Sequence, residues 1–286
     1  MKIDILKNLN WNKQWSIKED ITFNGIGLHK GKPVTVTFKP APIDTGIIFI
    51  RNDLETPVYI PALCEYISET TNLCTILSNE EKSLWTIEHC LSAIYGLGIS
   101  NIFVEVNGEE LPALDGSSLI FCDYLIKAGI IEQDSSREFI TLPKVFWISD
   151  DDKHIIASPN DYLQITYGID FCHPMVGKQL YQIMVTPFYF YTQIAPARTF
   201  GFRQDIEFLY NRGLALGGSY DNAIIVDLDG YSSPLRFNNE LVRHKILDLI
   251  GDIALIGGNL LSSLIAIKAG HHLHNKLVKH IYINLY

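Results

Sequence analysis

The hydrophobic pattern changes period along the chain. VTVTF at 34–38 alternates with period two and GIIFI at 46–50 is a short apolar run, so both predict strands. The Pro, Asp and Gly of KPAPIDTG between them mark a turn. A helical period runs from about Ser83 to Tyr95 and stops at Gly96. A strand follows at NIFVEV, 101–106, then the loop NGEELPALDGSS and a second helix from near Ser118 to Gly129. The second half repeats this plan. Strands are expected at YLQITYGIDF and YQIMVTPFYFY, a long helix from about Asn239 to Gly257, a strand at SSLIAIKAG and a final helix after Gly270. Strands and helices mix without strict alternation, which indicates an α+β fold. The most polar segment, IIEQDSSRE at 130–138, is read as a linker between domains at 1–129 and 139–286.

The helix faces carry the chemistry. At about 100° per residue, Leu84, Ile87, Leu91, Ile94 and Tyr95 form one apolar face of the first helix. His89 points away from it, beside the small residues Ser92, Ala93 and Gly96, with Glu88 at the stripe's edge. On the long helix, Val242, Ile246, Leu249, Ile250, Ile253 and Ile256 form the apolar stripe. His244, Asp248 and Asp252 lie opposite at successive i, i+4 spacings, with Lys245 beside them. Each helix thus has a sheet-facing side and a second side bearing ionisable groups. The economical arrangement packs the two helices face to face between two sheets, where His89, His244 and Asp248 meet near Glu88. Two imidazoles and a carboxylate are a donor set of catalytic zinc. The same spacing also serves an ordinary surface His–Asp pair, and a lone buried histidine is often structural.

Other signals narrow the classes. A net charge of −9 and a pI of about 5.4 argue against a general nucleic-acid binder. The five cysteines contain no C-x-x-C, which argues against a disulfide framework or zinc knuckle. The N-terminal segment has no apolar signal-peptide core, and the stretch between Asp252 and Lys268 is too short and too interrupted to span a bilayer. The expectation is a cytoplasmic protein without transmembrane segments, acting as a monomer. There is no G-x-S-x-G elbow for a serine triad and no H-E-x-x-H. GLALGGSYDN at 213–222 is not a P-loop; it is a tight turn or a ligand loop. The aromatic run FYFYTQ at 188–193 is read as strand core, and no separate closed zinc site is expected from His271, His272 and His274.

Longer blocks carry a resemblance. They include GIGLHKGKPVTVTFKPAPIDTGIIF at 25–49, TNLCTIL at 71–77, TIEHCLSAIYGLGISNIFVEV at 86–106 and LPALDGSS at 111–118. ARTFGF at 197–202, GLALGGSYDNAIIVD at 213–227, LRFNNELVRHKILDLIGDIALIG at 235–257 and AGHHLHN at 269–275 follow in order. Over nearly its whole length the chain resembles the UDP-3-O-acyl-N-acetylglucosamine deacetylases, zinc enzymes of bacterial lipid A synthesis.

The resemblance implies two similar two-layer domains packed helix face to helix face, each with a small insert. It implies zinc on His89, His244 and Asp248, Glu88 as general base, and His271 as general acid supported by Asp252. It further implies Thr199 at the reacting carbonyl, Lys245 near the substrate's phosphates, and Lys153 as a further phosphate contact. A β-α-β insert at about 199–226 is implied to form an apolar passage for the acyl chain, with Phe200, Ile206, Ala215, Gly218, Tyr220, Ala223 and Ile225 as lining residues. One departure stands out: the family usually has Asn where this chain has His274. With His272, that residue is expected to bring extra imidazoles near the general acid.

Overall fold

The computed structural model describes residues 2–68 and 73–285, so Thr71 and Asn72 of the TNLCTIL block lie outside the described residues. The first half folds as β1 (Ile21–Ile26), β2 (Pro33–Pro40), β3 (Ile47–Arg51), β4 (Val58–Pro61), α1 (Glu88–Gly96), β5 (Ile102–Val106) and α2 (Leu119–Lys127). The second half folds as β6 (Phe146–Asp150), β7 (Lys153–Pro159), β8 (Gln164–Phe171), β9 (Gly177–Met184), α3 (Glu240–Ile253), β10 (Asn259–Ile267) and α4 (His271–Leu285). The first sheet has strand order β1-β2-β5-β3-β4, with only β3 and β5 parallel. The second has order β6-β7-β10-β8-β9, with β8 and β10 parallel, and Phe139–Thr141 also pairs parallel with the start of β10.

The two halves therefore share one topology. In each, a helix leads into the strand that enters the middle of the sheet, and a second helix follows it. This is an α+β fold, and α1 packs along α3 between the two sheets. The apolar positions read from the periodicity, such as Leu91 and Ile94 on α1 and Ile246, Leu249 and Ile250 on α3, are buried. The polar sides of both helices are buried too, because they face each other.

Each half carries an insertion. In the first it is the hairpin Ile76–Asn79 with Lys82–Trp85. In the second, Phe200–Phe202 pairs parallel with Ile224–Asp227 across the helix Ile206–Asn211, which is the β-α-β unit expected there, and Gly230–Tyr231 adds a short third strand.

Three elements differ from the sequence reading. Residues Ile130–Ser136, read as part of a linker, form a strand antiparallel to Lys13–Ile17. Their polarity suits a strand with mostly solvent-facing side chains, and the pairing partner lies more than a hundred residues away. Residues 83–85, read as the first turn of a helix, belong to the second hairpin strand, Lys82–Trp85; α1 starts only at Glu88, after Thr86 at φ 57°. The strand expected through residue 191 ends at Met184. Thr186 then accepts from the Tyr189 amide, and Pro187 begins a helical turn that continues as a π turn over Phe190–Ile194. Proline after a Thr cap is a helix-start signal that outweighs the aromatic run. Among the described residues no helix is long and apolar enough to cross a membrane.

Candidate metal and catalytic centre

The crossing of α1 and α3 is close enough to involve the main chain. A Cβ at Gly251 would lie 2.9 Å from the Glu88 Cα and nearer still to the Glu88 carbonyl. Glycine at 251 thus lets α3 seat itself on the first turn of α1, the turn that carries Glu88 and His89. Thr86 sets the entry angle of that turn. Its positive φ is strained for a β-branched residue, and its hydroxyl donates to Glu110 Oε1 at 3.0 Å. Glu110 also accepts from the amides of His29 and Lys30, so the carboxylate ties the β1–β2 turn to the start of α1.

His89, His244 and Asp248 converge at this crossing, with their ligand atoms within 4.8 Å of one another. All three are buried, so His244 and Asp248 are not a surface pair. His244 Nδ1 donates to the Ala197 carbonyl at 3.1 Å. Burial pushes its pKa down to about 3, with Asp248 opposing, so the ring is neutral and Nε2 presents a lone pair. That Nε2 lies 3.3 Å from Asp248 Oδ1, and His89 Nε2 lies 3.6 Å from the same oxygen. Burial opposes charge on Asp248, but His244, Lys245 and His89 hold its pKa well below the usual carboxylate value. Asp248 Oδ1 is buried and, among the described residues, accepts no hydrogen bond. Carboxylate and imidazole lone pairs facing one another in a dry site repel, and a cation resolves the conflict.

Glu88 and His271 flank the group. Glu88 is buried and accepts from the Thr75 amide at 3.0 Å; burial raises its pKa, with His271 and His89 opposing. His271 Nδ1 lies 2.8 Å from Asp252 Oδ2, and its Nε2 lies 3.9 Å from Asp248 Oδ2. Burial opposes charge on His271, but Asp252, Asp248 and Glu88 outweigh it and raise the pKa to about 9. The same environment thus holds one histidine neutral and another cationic, which is how a site divides ligand and acid roles between identical side chains.

A cavity of about 450 Å³ opens over this group. Glu88, His89, His244, Lys245, Asp248, Thr199 and His271 are part of its wall. Phe200, Ile206, Ala215, Gly218, Tyr220, Ala223 and Ile225 of the second-half insert line the same cavity, with the Phe200 ring 6.3 Å from that of His244. Lys245 Nζ lies 2.8 Å from Asp248 Oδ2. The glycine-rich loop closes the cavity by docking across the halves: the Leu216 and Gly217 amides donate to the His29 and Leu28 carbonyls. A Cβ at Gly217 would strike the Gly27 carbonyl, so this approach requires glycine.

Two expected residues stand apart from the cavity wall. Asp252 is buried behind His271, and Lys153 is exposed at the start of β7, opposite Asp150, outside the lining. His272 is exposed, whereas His274 is buried against Asp252. The sequence reading gave no role to Thr75, which donates from its amide to Glu88 and from its hydroxyl to Asp252 Oδ1 at 2.5 Å. It also missed His29, Leu28, Leu73 and Thr86 in the cavity wall. Both Thr75 and His29 sit inside the blocks that carry the resemblance, which was the available signal.

Residues 14–283 match the family described as LpxC, UDP-3-O-acyl N-acetylglycosamine deacetylase. The chain belongs to this family. It is 44% identical over 279 residues to the UDP-3-O-acyl-N-acetylglucosamine deacetylase of Mannheimia succiniciproducens, covering 95% of this chain and 90% of that one. The enzyme of the same name from Pasteurella multocida is 43% identical with the same coverage. That of Leptospira biflexa is 43% identical over 92% of this chain and 88% of its own.

Proposed function

We propose that the chain is a zinc-dependent amidase that removes the N-acetyl group of UDP-3-O-acyl-N-acetylglucosamine, releasing acetate, in lipid A biosynthesis. The observation that carries this reading is the joining of two environments in one cavity. An acceptor-rich His89–His244–Asp248 group flanked by Glu88 and His271 shares one cavity with the apolar side chains of the second-half insert. His89, His244 and Asp248 would hold the zinc, leaving a position for water. Zinc bound there supplies Lewis acidity to water and to the acetamide carbonyl.

The protein groups do the proton work. Glu88, its pKa raised by burial, accepts a proton from the attacking water as the oxygen bonds to the acetyl carbon. The Thr199 hydroxyl donates to the oxyanion that develops. His271 enters the reaction as imidazolium and gives its proton to the sugar nitrogen as the C–N bond breaks. Asp252 holds the His271 ring in the orientation that points Nε2 toward the centre. Lys245 offers its ammonium to the substrate's diphosphate, and the insert takes the 3-O-acyl chain. A buried methylene contributes about 0.8 kcal/mol, so the chain is a major source of affinity.

The test is acetate release from UDP-3-O-acyl-N-acetylglucosamine compared with UDP-N-acetylglucosamine. The account requires a strong preference for the acylated substrate. Equal kcat/KM on the two would make this a different N-acyl-sugar amidase, and no release from either would make it a binding protein.

A further inference from the structure

The aspartate behind His271 carries a second imidazole. His274 lies three residues further along α4 and is fully buried. Its Nδ1 is 2.8 Å from Asp252 Oδ2, the same oxygen and the same distance as His271 Nδ1. Thr75 occupies the other carboxylate oxygen. On the far side of the ring, His274 Nε2 is 3.0 Å from the Tyr167 hydroxyl, which in turn donates to the Ala269 carbonyl at 2.7 Å. Tyr167 belongs to β8, and Ala269 lies in the short link between β10 and His271.

We propose that His274 is a positioning residue for the general acid, a second donor on Asp252 that fixes the carboxylate so that Oδ2 faces His271. The proposal rests on the reading of His271 as the acid.

The hydrogen bonds set the ring's state. Burial pushes the His274 pKa down, with Asp252 opposing, so the ring is neutral and has one N–H. An ionised carboxylate only accepts, so that N–H sits on Nδ1. Nε2 then presents its lone pair to Tyr167, whose hydroxyl proton is shared with Ala269. Asp252 is thereby held from three directions: by Thr75, by His271 and by a ring anchored to the second sheet. Removing His274 frees the carboxylate to turn, and His271 loses its fixed partner. His274 does not line the cavity, and neither does Tyr167. The loss therefore falls on kcat rather than on substrate binding.

The test uses zinc-loaded full-length protein and acetate release. His274→Leu removes the donor while keeping an apolar side chain in the buried site. Its kcat is expected to fall roughly 10- to 100-fold with KM within about twofold, the scale of losing an outer-shell partner, and with bound zinc unchanged. His274→Asn returns an amide N–H to the same side and is expected to recover most of the loss. Wild-type kcat in His274→Leu, or equal slowing in the Leu and Asn variants, overturns the proposal. His271→Ala separates this from failure of the underlying reading. Full turnover in His271→Ala removes the acid itself, whereas a slow His271→Ala beside a fully active His274→Leu removes only the role of His274.

Should His274→Leu fail to fold, the wild type decides by NMR of protein labelled with ¹⁵N-histidine. Apart from that of His244, two low-field Nδ1–H resonances are expected, one of them lost in His271→Ala. A single such resonance contradicts the shared carboxylate.

Discussion

Gly251→Ala probes whether the closeness of α1 and α3 builds the site. Two effects compete. Alanine gains about 1 kcal/mol over glycine in a helix interior. Against this, the new Cβ meets the Glu88 main chain, at 2.8 Å from the carbonyl carbon and 2.9 Å from Cα. None of these atoms can rotate away, so the helices must separate. Overpacking of this kind costs about 1–3 kcal/mol, and backbone contact puts it at the upper end. The net loss is about 2 kcal/mol.

With an unfolding entropy of about 2.1 cal/mol/K per residue, a chain of 286 residues loses roughly 3 °C in Tm. The kinetic effect is larger. Moving Glu88 and His89 by about 1 Å relative to Asp248 costs on the order of 10²-fold in kcat. Thermal melts and acetate-release kinetics on the zinc-loaded variant measure both. A Tm raised by about 2 °C, the propensity gain alone, together with unchanged kcat, would refute the claim that backbone contact at Gly251 sets the site.

Three further outcomes are expected. Glu88→Gln should keep its fold and zinc but lose roughly 10²–10⁴-fold in kcat; near-normal turnover would leave Glu88 without a catalytic role. His271 has a folded pKa raised to about 9 from 6.5, so its stabilising charge is whole below about pH 6.5 and is lost as pH rises through about 9. Metal-free wild type should therefore lose Tm relative to metal-free His271→Gln across that window, and parallel curves would count against the charged ring. Gly218→Leu puts bulk into the passage, where a Cβ already meets the Ala215 carbonyl at 3.0 Å. It should slow long-chain substrates more than short ones, and uniform slowing across a chain-length series would move the passage elsewhere.

The sequence made the helix faces legible because a period of 3.6 over eight or more residues identifies which residues share a side. His89, His244 and Asp248 could be brought together on that basis, since two helices with polar second faces have few ways to bury them. The strand Ile130–Ser136 was hidden because its partner, Lys13–Ile17, is remote in sequence and its own side chains are polar. The break at Thr86 was hidden because the apolar spacing of Leu84 and Ile87 continues through it, while the backbone conformation does not. Thr75 carried no local signal; its importance comes from a hydrogen bond to Asp252, 177 residues away. Lys153, by contrast, lies outside the cavity wall, at the exposed start of β7.

The most direct test of the central claim is the metal itself. Purified protein should contain one zinc per chain, lose both zinc and acetate release on chelation, and recover both when zinc is returned. His89→Ala and Asp248→Ala should fold, bind little zinc and stay inactive on zinc addition, because three-ligand sites depend on each donor. Stoichiometric zinc in both variants, or full activity in chelated wild type, would contradict the assignment of His89, His244 and Asp248 as the metal centre.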